Sequence, residues 1–381
     1  MTLNQKIRDY TESLSQKGLL RTRRVSDAQQ TALMPFDSND YLSLSTDRRI
    51  TKAYQEGYAM YPSGSGGSML LSGYHANHQA AERAFAELLA VDECILFSSG
   101  YAANLAVASL MGKINARCLI DKGVHASIYD GLGLAQVEFT RYIHNDMDDL
   151  SHKLMRTVEE NVVITEGIFS MSGQIAPLST ISELCEEKRS VLLVDEAHSF
   201  GILGEQGRGA VSYYGLTQNE VPLRVLPLGK SAASQGAVVA GTTVWINALL
   251  QAARSLIYST APSPALSYGI LKTLDVIILA DDRRRRLVQL IDYFKQKINT
   301  SPLQWSVSNT PIQQLQLGCP HLALHYDKEL RKAGLSCSPI RSPTVSTKQT
   351  GLRIILNFNH QEEHINTLFN TLDKIYESAH Y

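Results

Sequence analysis

Residues Ser190-Val-Leu-Leu-Val-Asp-Glu-Ala-His-Ser199 decide the fold: a short apolar run ends abruptly in two acids and a histidine. A run of this kind, with no polar alternation, reads as a strand buried on both faces, as in a parallel sheet covered by helices. Val225-Leu-Pro-Leu-Gly-Lys-Ser231 has the same character and ends in a lysine. Residues just past the carboxyl ends of such strands line the ligand crevice of an open α/β sheet. Asp195, His198 and Lys230 are therefore expected to converge on one site.

Working outward, further short apolar runs occur at Cys94-Ile-Leu-Phe97, Cys118-Leu-Ile120, Val162-Val-Ile164 and Ala237-Val-Val-Ala240, with helical stretches between them. That alternation predicts an α/β fold, a large domain with a mostly parallel sheet covered by helices. Polar residues follow nearly every run: Ser98-Ser-Gly100, then His125, Thr165-Glu-Gly167, Asp195 and Lys230. Before this region, residues 3–20 pattern as an amphipathic helix through Ile7, Tyr10, Leu14 and Leu19, followed by a basic strand Arg21–Val25 and a polar turn. After it, Pro339–Val345 and the strand-like Gly351–Leu356 belong to a smaller α+β region expected to fold back toward the crevice. The domain reading is an N-terminal helix and strand segment over 1–45, a large domain over 46–274 and a C-terminal small domain over 275–381.

Composition narrows the function. Of 381 residues, 36 are Lys or Arg and 37 Asp or Glu, a net charge of -1 that gives no reason to expect nucleic acid or an anionic membrane as partner. The run Asp281-Asp-Arg-Arg-Arg-Arg286 is the one basic cluster and reads as a solvated helix face, continuous with Leu274, Ile277, Ile278, Leu287 and Leu290. Five scattered cysteines without a Cys-x-x-Cys pair argue against a disulfide framework or zinc site. With no signal-peptide core and no stretch near the roughly 20 apolar residues of a membrane span, the chain is expected to be cytoplasmic.

The motifs sharpen this. Gly229-Lys230-Ser231 resembles the end of a P-loop, but position 224, where that loop needs its first glycine, is Arg. A nucleotide-triphosphate site is thereby rejected, and with it most of the case for reading Asp195-Glu-Ala-His198 as a metal-holding acid pair. No metal is expected. A lysine directly behind an apolar strand is a candidate activated amine, its alternative being a solvated lysine. A strand-end acid needs a charge partner, and a protonated pyridine nitrogen is one. An acid, an imidazole and a lysine around one crevice thus point to pyridoxal phosphate (PLP). His125 and His198 read singly as either structural or ligand-facing. Ser99-Gly-Tyr101, between a strand and a helix, offers an anion site at a helix N-terminus, whereas Gly64-Ser-Gly-Gly-Ser68 alone signals only a turn. Arg353, inside an apolar strand, is either paired structurally or aimed at a ligand carboxylate.

Taken together, Ser38-Asn-Asp-Tyr-Leu42, Gly64–Ser68, Leu71-Ser-Gly-Tyr-His75, Ser99-Gly-Tyr-Ala-Ala-Asn104, Thr165-Glu-Gly-Ile-Phe-Ser170, Asp195–Ser199, Gly204-Glu-Gln-Gly-Arg-Gly209 and Ile257-Tyr-Ser-Thr260 resemble the fold-type-I PLP enzymes, and within them the α-oxoamine synthases. The resemblance spans about residues 20–375. It implies that Lys230 is the Schiff-base lysine, Asp195 the partner of the pyridine nitrogen and His125 the histidine stacked on the cofactor ring. His198, Glu166 and Ser170 would surround the ring substituents. Ser99, Gly100 and Tyr101 would hold the phosphate, with Ser259 and Thr260 reaching it from the second subunit of a homodimer. Arg353 and Asn39 would hold an amino-acid carboxylate, and Arg21 would meet the acyl chain or its distal polar end. One departure stands out: members usually carry Thr or Ser three residues before the lysine, and here that position is Pro227. A lost charge-assisted hydrogen bond costs about 1.5–3 kcal/mol, so weaker cofactor binding or another donor is expected. Ala232 and Ala233 also replace bulkier residues of the lysine loop.

The implied reaction is decarboxylative condensation of L-alanine with a pimeloyl thioester, carried on coenzyme A or acyl carrier protein. His125 and Asp195 would act with Lys230 in catalysis. The alternatives are a sister synthase using glycine or making an amino-ketone signal, an aminotransferase on the same fold, and a non-catalytic subunit. The intact set of Lys230, Asp195, His125 and Arg353 argues against the last.

Overall fold

A computed structural model of the chain describes residues 1–25, 33–156 and 160–378, which fall into two compact units. The larger comprises Asp40–Ser170 and Ile175–Arg284; the other comprises Met1–Asn39, Met171–Gln174 and Arg285–Tyr381.

The larger unit is built on a seven-stranded sheet. Across the sheet the strands run Glu93–Phe97, Ala237–Gly241, Leu223–Pro227, Val191–Asp195, Asn161–Glu166, Arg117–Asp121 and Phe139–Tyr142. Only Ala237–Gly241 is antiparallel to its neighbours; the other pairings are parallel. Asn161–Glu166 is buried along its whole length and Val191–Asp195 nearly so, the consequence of helices on both faces of the sheet. Parallel order brings Glu166, Asp195 and Pro227 to one edge, each as the last residue of its strand. Glu166 and Asp195 lie side by side in register.

Two helix starts face that edge. Ser99 caps Gly100–Lys113, its hydroxyl accepting the Ala102 N–H at 3.1 Å. His125 caps Ala126–Leu134, its ring accepting the Ser127 N–H at 3.2 Å. Both caps are side-chain acceptors satisfying N–H groups that the helix itself leaves open.

The second unit carries a four-stranded antiparallel sheet in the order Ser338–Ile340, Gly351–Ile355, Ile312–Gln316 and Gln304–Trp305. A short parallel pair joins Met34–Pro35 to Leu335–Ser336. Helices Pro320–Lys332 and Glu362–Ser378 complete it.

Three local expectations are corrected. The N-terminal helix is Leu3–Gln16, so Leu19 lies beyond it; Gly18, at φ +65°, turns the chain, and the Leu19 and Leu20 N–H groups return to the Leu14 carbonyl. Arg21–Val25 forms no strand. It is tied by side chains, Arg24 to Asp327 at 2.8 Å and Arg21 to Thr344 at 3.4 Å, because a stretch this polar has no apolar face to place on a sheet. The polar turn expected after Val25 lies outside the described residues.

The third correction concerns the arginine run. The helical pattern is broken at Leu279–Ala280, between helices Pro264–Ile278 and Asp281–Ile298. The break turns two arginines inward. Arg284 is buried and donates to the Ile277 and Gly201 carbonyls at 2.9 and 3.3 Å; Arg283 donates to the Leu42 and Ser43 carbonyls and to Asp47. They close a helix C-terminus and a loop instead of meeting solvent. No helix among the described residues is long and apolar enough to cross a membrane.

Candidate active site

At the carboxyl edge of the large sheet lies a cleft of about 480 Å³, its open mouth included. Gly100, Tyr101, His125, Glu166, Asp195, His198 and Lys230, all expected from sequence, line it together with Asn104, Ser127, Ala197 and Pro227. Seven residues singled out in the sequence thus line one cavity.

Each side chain is held from below. Asp195 is buried, with Oδ1 accepting the Ala197 N–H at 2.9 Å and Oδ2 accepting the Asn104 amide at 2.8 Å. The same Asn104 amide donates to Ser127 Oγ at 2.9 Å, and Ser127 Oγ lies 2.8 Å from His125 Nδ1. Because a backbone N–H can only donate, the Ser127 N–H makes Nδ1 of His125 an acceptor. The neutral ring therefore carries its proton on Nε2. Burial lowers the pKa of His125, with the Lys230 charge acting the same way and the Asp195 charge opposing. His125 is thus a neutral N–H donor tied to Asp195 through Ser127 and Asn104. His198 is fixed by Tyr41, whose hydroxyl lies 2.5 Å from Nδ1.

Glu166 is buried, and its Oε2 accepts the Ser170 N–H at 3.2 Å. Burial and the neighbouring Asp195 charge push its pKa well above the usual carboxylate range. Ser99 itself caps the first helix. Its carbonyl accepts the Ala103 N–H at 3.0 Å as its hydroxyl accepts that of Ala102, so capping uses neither the Gly100 nor the Tyr101 N–H. Lys230 sits in a tight turn closed by the Ala233 N–H to the Lys230 carbonyl at 2.8 Å, with Ala233 at φ +46°. Small residues at 232 and 233 suit this turn, since Ala232 is fully packed and Ala233 is left-handed.

Glu196, the second acid of the opening motif, belongs elsewhere. It is fully buried, accepts the Ala210 and Val211 N–H groups at 2.7 and 3.0 Å, and lies 3.7 Å from Arg224. Ser259 and Thr260 do not line the cleft of their own chain. Ser259 is half-buried and Thr260 exposed. Their segment is hung on residues 65–78, through the Ala261 N–H to the Gly67 carbonyl, Ser65 Oγ to the Ala261 carbonyl and His78 Nε2 to the Pro262 carbonyl. In the other unit Arg353 is buried in its strand and donates to Asn39 Oδ1 at 2.9 Å.

Asn104, Ser127 and Tyr41, which hold Asp195, His125 and His198 in place, are positions that sequence reasoning passed over. Asn104 had a signal, a buried amide on the otherwise apolar face Ala103–Leu110.

The donor set fits PLP. An acid with both oxygens already oriented suits a pyridinium, two uncapped helix N–H groups suit a phosphate, and a lysine closes the cavity. The orphaned Glu166 Oε1, buried with no hydrogen-bond partner among the described residues, suits a bound polar group.

Residues 31–372 match the family described as aminotransferase class I and II. A curated relative, 8-amino-7-oxononanoate synthase of Pseudomonas syringae pv. syringae (strain B728a), is 39% identical over 345 residues, 90% of this chain and 87% of that protein. The crystal structure of 8-amino-7-oxononanoate synthase from Francisella tularensis superposes with a TM-score of 0.81 at 32% identity, covering 92% of this chain and 99% of that one. A serine palmitoyltransferase variant from S. paucimobilis, solved with PLP and myriocin bound, shares the fold at a TM-score of 0.88 and 24% identity over 97% of both chains. The chain therefore belongs to the aminotransferase class I and II family of PLP enzymes, among the 8-amino-7-oxononanoate synthases.

Proposed function

We infer that this protein condenses L-alanine with a pimeloyl thioester, releasing carbon dioxide and free thiol and forming 8-amino-7-oxononanoate on the route to biotin. The observation that carries the reading is the single cleft joining Lys230, Asp195 and His125 in a chain 39% identical to a synthase of that name. Lys230 would hold the cofactor covalently, Asp195 its ring nitrogen and the Gly100 and Tyr101 N–H groups its phosphate. Bound there, PLP supplies an electron sink that stabilises a carbanion at the amino acid's α-carbon.

The chain's own groups do the rest. The Lys230 amine takes the α-proton of L-alanine, a general-base role worth typically 10²–10⁴-fold. Arg353, oriented by Asn39, holds the carboxylate as a planar fork. His125, neutral with its proton on Nε2, donates toward the oxyanion that develops when the thioester carbonyl is attacked. Arg21, with Thr344, receives the distal end of the acyl chain. Ser259 and Thr260, outside their own cleft, complete the phosphate site of a second copy, making a cytoplasmic homodimer with shared sites. The acyl carrier is coenzyme A or acyl carrier protein.

The test is thiol release by purified, PLP-loaded protein given pimeloyl-coenzyme A, with L-alanine and glycine in parallel. Release that depends on L-alanine is expected. Preference for glycine would move the protein to a sister synthase, and transamination without thiol release would make it an aminotransferase.

A further inference from the structure

We propose that Glu166 works as a neutral carboxylic acid, holding a proton on Oε1 and donating it as a hydrogen bond into the cleft, while its neighbour Asp195 serves as the charged member of the pair. The proposal rests on the PLP site inferred above and is independent of which thioester is used.

The two acids end adjacent parallel strands in direct register and line the same cleft, each almost wholly buried. Two carboxylates so placed do not both ionise at small cost; one takes the proton, and their surroundings choose which. Asp195 has a short hydrogen bond to each oxygen, from the Ala197 N–H at 2.9 Å and the Asn104 amide at 2.8 Å. That is the donor set of a carboxylate. Glu166 has the Ser170 N–H on Oε2 at 3.2 Å and the His125 N–H facing the carboxyl, but Oε1 is buried without a partner among the described residues. An unpartnered oxygen is a poor seat for negative charge. Placing the proton there converts an acceptor with nothing to accept into a donor facing the cleft.

The groups that surround Glu166 agree. From the next strand Asp195 disfavours a second negative charge, and burial disfavours any. From the lysine turn the Lys230 cation acts the other way, as do the Ser170 amide and the His125 amide at the start of its helix. The His125 N–H faces the carboxyl without completing a hydrogen bond to Oε1, and burial and Asp195 outweigh these three. The acceptor such a donor suits is the anionic phenolic oxygen of PLP. An O–H to an O⁻ is a strong, charge-assisted hydrogen bond, and it asks for no further buried charge.

Infrared spectroscopy decides the proton on the apoprotein. With ¹³C-labelled glutamate, the C=O stretch of a protonated carboxyl should be present at neutral pH, where an ordinary glutamate is ionised, and absent from Glu166→Gln. PLP titration, read by visible absorbance, decides the hydrogen bond. Glu166→Gln, which keeps a neutral donor, should bind PLP within about threefold of wild type, and Glu166→Ala about tenfold or more weaker. Absence of the band at neutral pH, or Glu166→Gln binding as weakly as Glu166→Ala, would overturn the proposal. A wild-type protein that bound no PLP would overturn the cofactor site and the donated hydrogen bond together, while the infrared band would still decide the proton.

Discussion

Asn104→Ala is the perturbation the site geometry makes most informative. The Asn104 amide is buried and makes two hydrogen bonds, to Asp195 Oδ2 at 2.8 Å and to Ser127 Oγ at 2.9 Å. Alanine leaves Asp195 with one donor, the Ala197 N–H, and frees the Ser127 hydroxyl that orients His125. A hydrogen bond to a charged group is worth about 1.5–3 kcal/mol, which corresponds to about ten- to hundredfold in an equilibrium or rate constant. PLP affinity of the apoprotein, titrated by visible absorbance, is therefore expected to fall by about that factor. The kcat/KM for thiol release should fall further, because His125 loses its alignment as well. Thermal unfolding of the apoprotein separates the site effect from packing. If PLP affinity and kcat/KM stayed within twofold of wild type while the melting temperature dropped, the bond would be structural only. The chain from Asp195 to His125 would then have no part in catalysis.

Other perturbations follow from the same geometry. Lys230→Ala should abolish the visible absorbance of lysine-bound PLP and let the cofactor be removed by gel filtration; an unchanged spectrum would refute the lysine assignment. Arg353→Ala, which removes the guanidinium that donates to Asn39 Oδ1, should raise the KM for L-alanine by about tenfold or more with a smaller effect on the thioester KM; an unchanged alanine KM would place the carboxylate elsewhere. Gly100→Ala would put a Cβ 2.5 Å from Cγ of Pro227, a ring that cannot rotate away, and should cost about 1–3 kcal/mol in thermal or urea unfolding along with weaker PLP binding. Glu82 is pushed up from 4.5 to about 7 by burial, so the folded protein binds this proton more tightly than the unfolded chain. Its stabilisation is complete below about pH 4.5 and is lost as pH rises through about 7, by about 3 kcal/mol. Glu82→Gln should remove that pH dependence from urea unfolding compared at pH 5 and pH 8, and an unaltered slope would show that Glu82 is not its source.

What the sequence revealed here was whatever a strand end can announce. Apolar runs stopping at Glu166, Asp195 and Pro227 located the carboxyl edge of the sheet, because two-sided burial excludes polar residues until the strand leaves the core. Lys230, His125 and His198 followed from lying just past such edges. The supports were not legible. Asn104 reaches Asp195 across 91 residues and Tyr41 reaches His198 across 157, and no local pattern encodes a pairing made by tertiary packing. The arginine run was misread for a related reason. Charge on a helical pattern says solvent only while the helix continues, and the break at Leu279–Ala280 sets Arg284 against helix-end carbonyls.

Pro227 shows how a departure visible in sequence gains its meaning from structure. The position offers neither a hydroxyl nor an N–H to a phosphate. It ends a strand whose other neighbour is the one antiparallel strand of the sheet, where Pro227 stands opposite Ala237 and the Leu228 N–H goes to the Gly236 carbonyl. The ring lies directly against Gly100, so close that only glycine fits there. It thus fixes the height of the helix start that Ser99 caps and whose Gly100 and Tyr101 N–H groups remain for an anion.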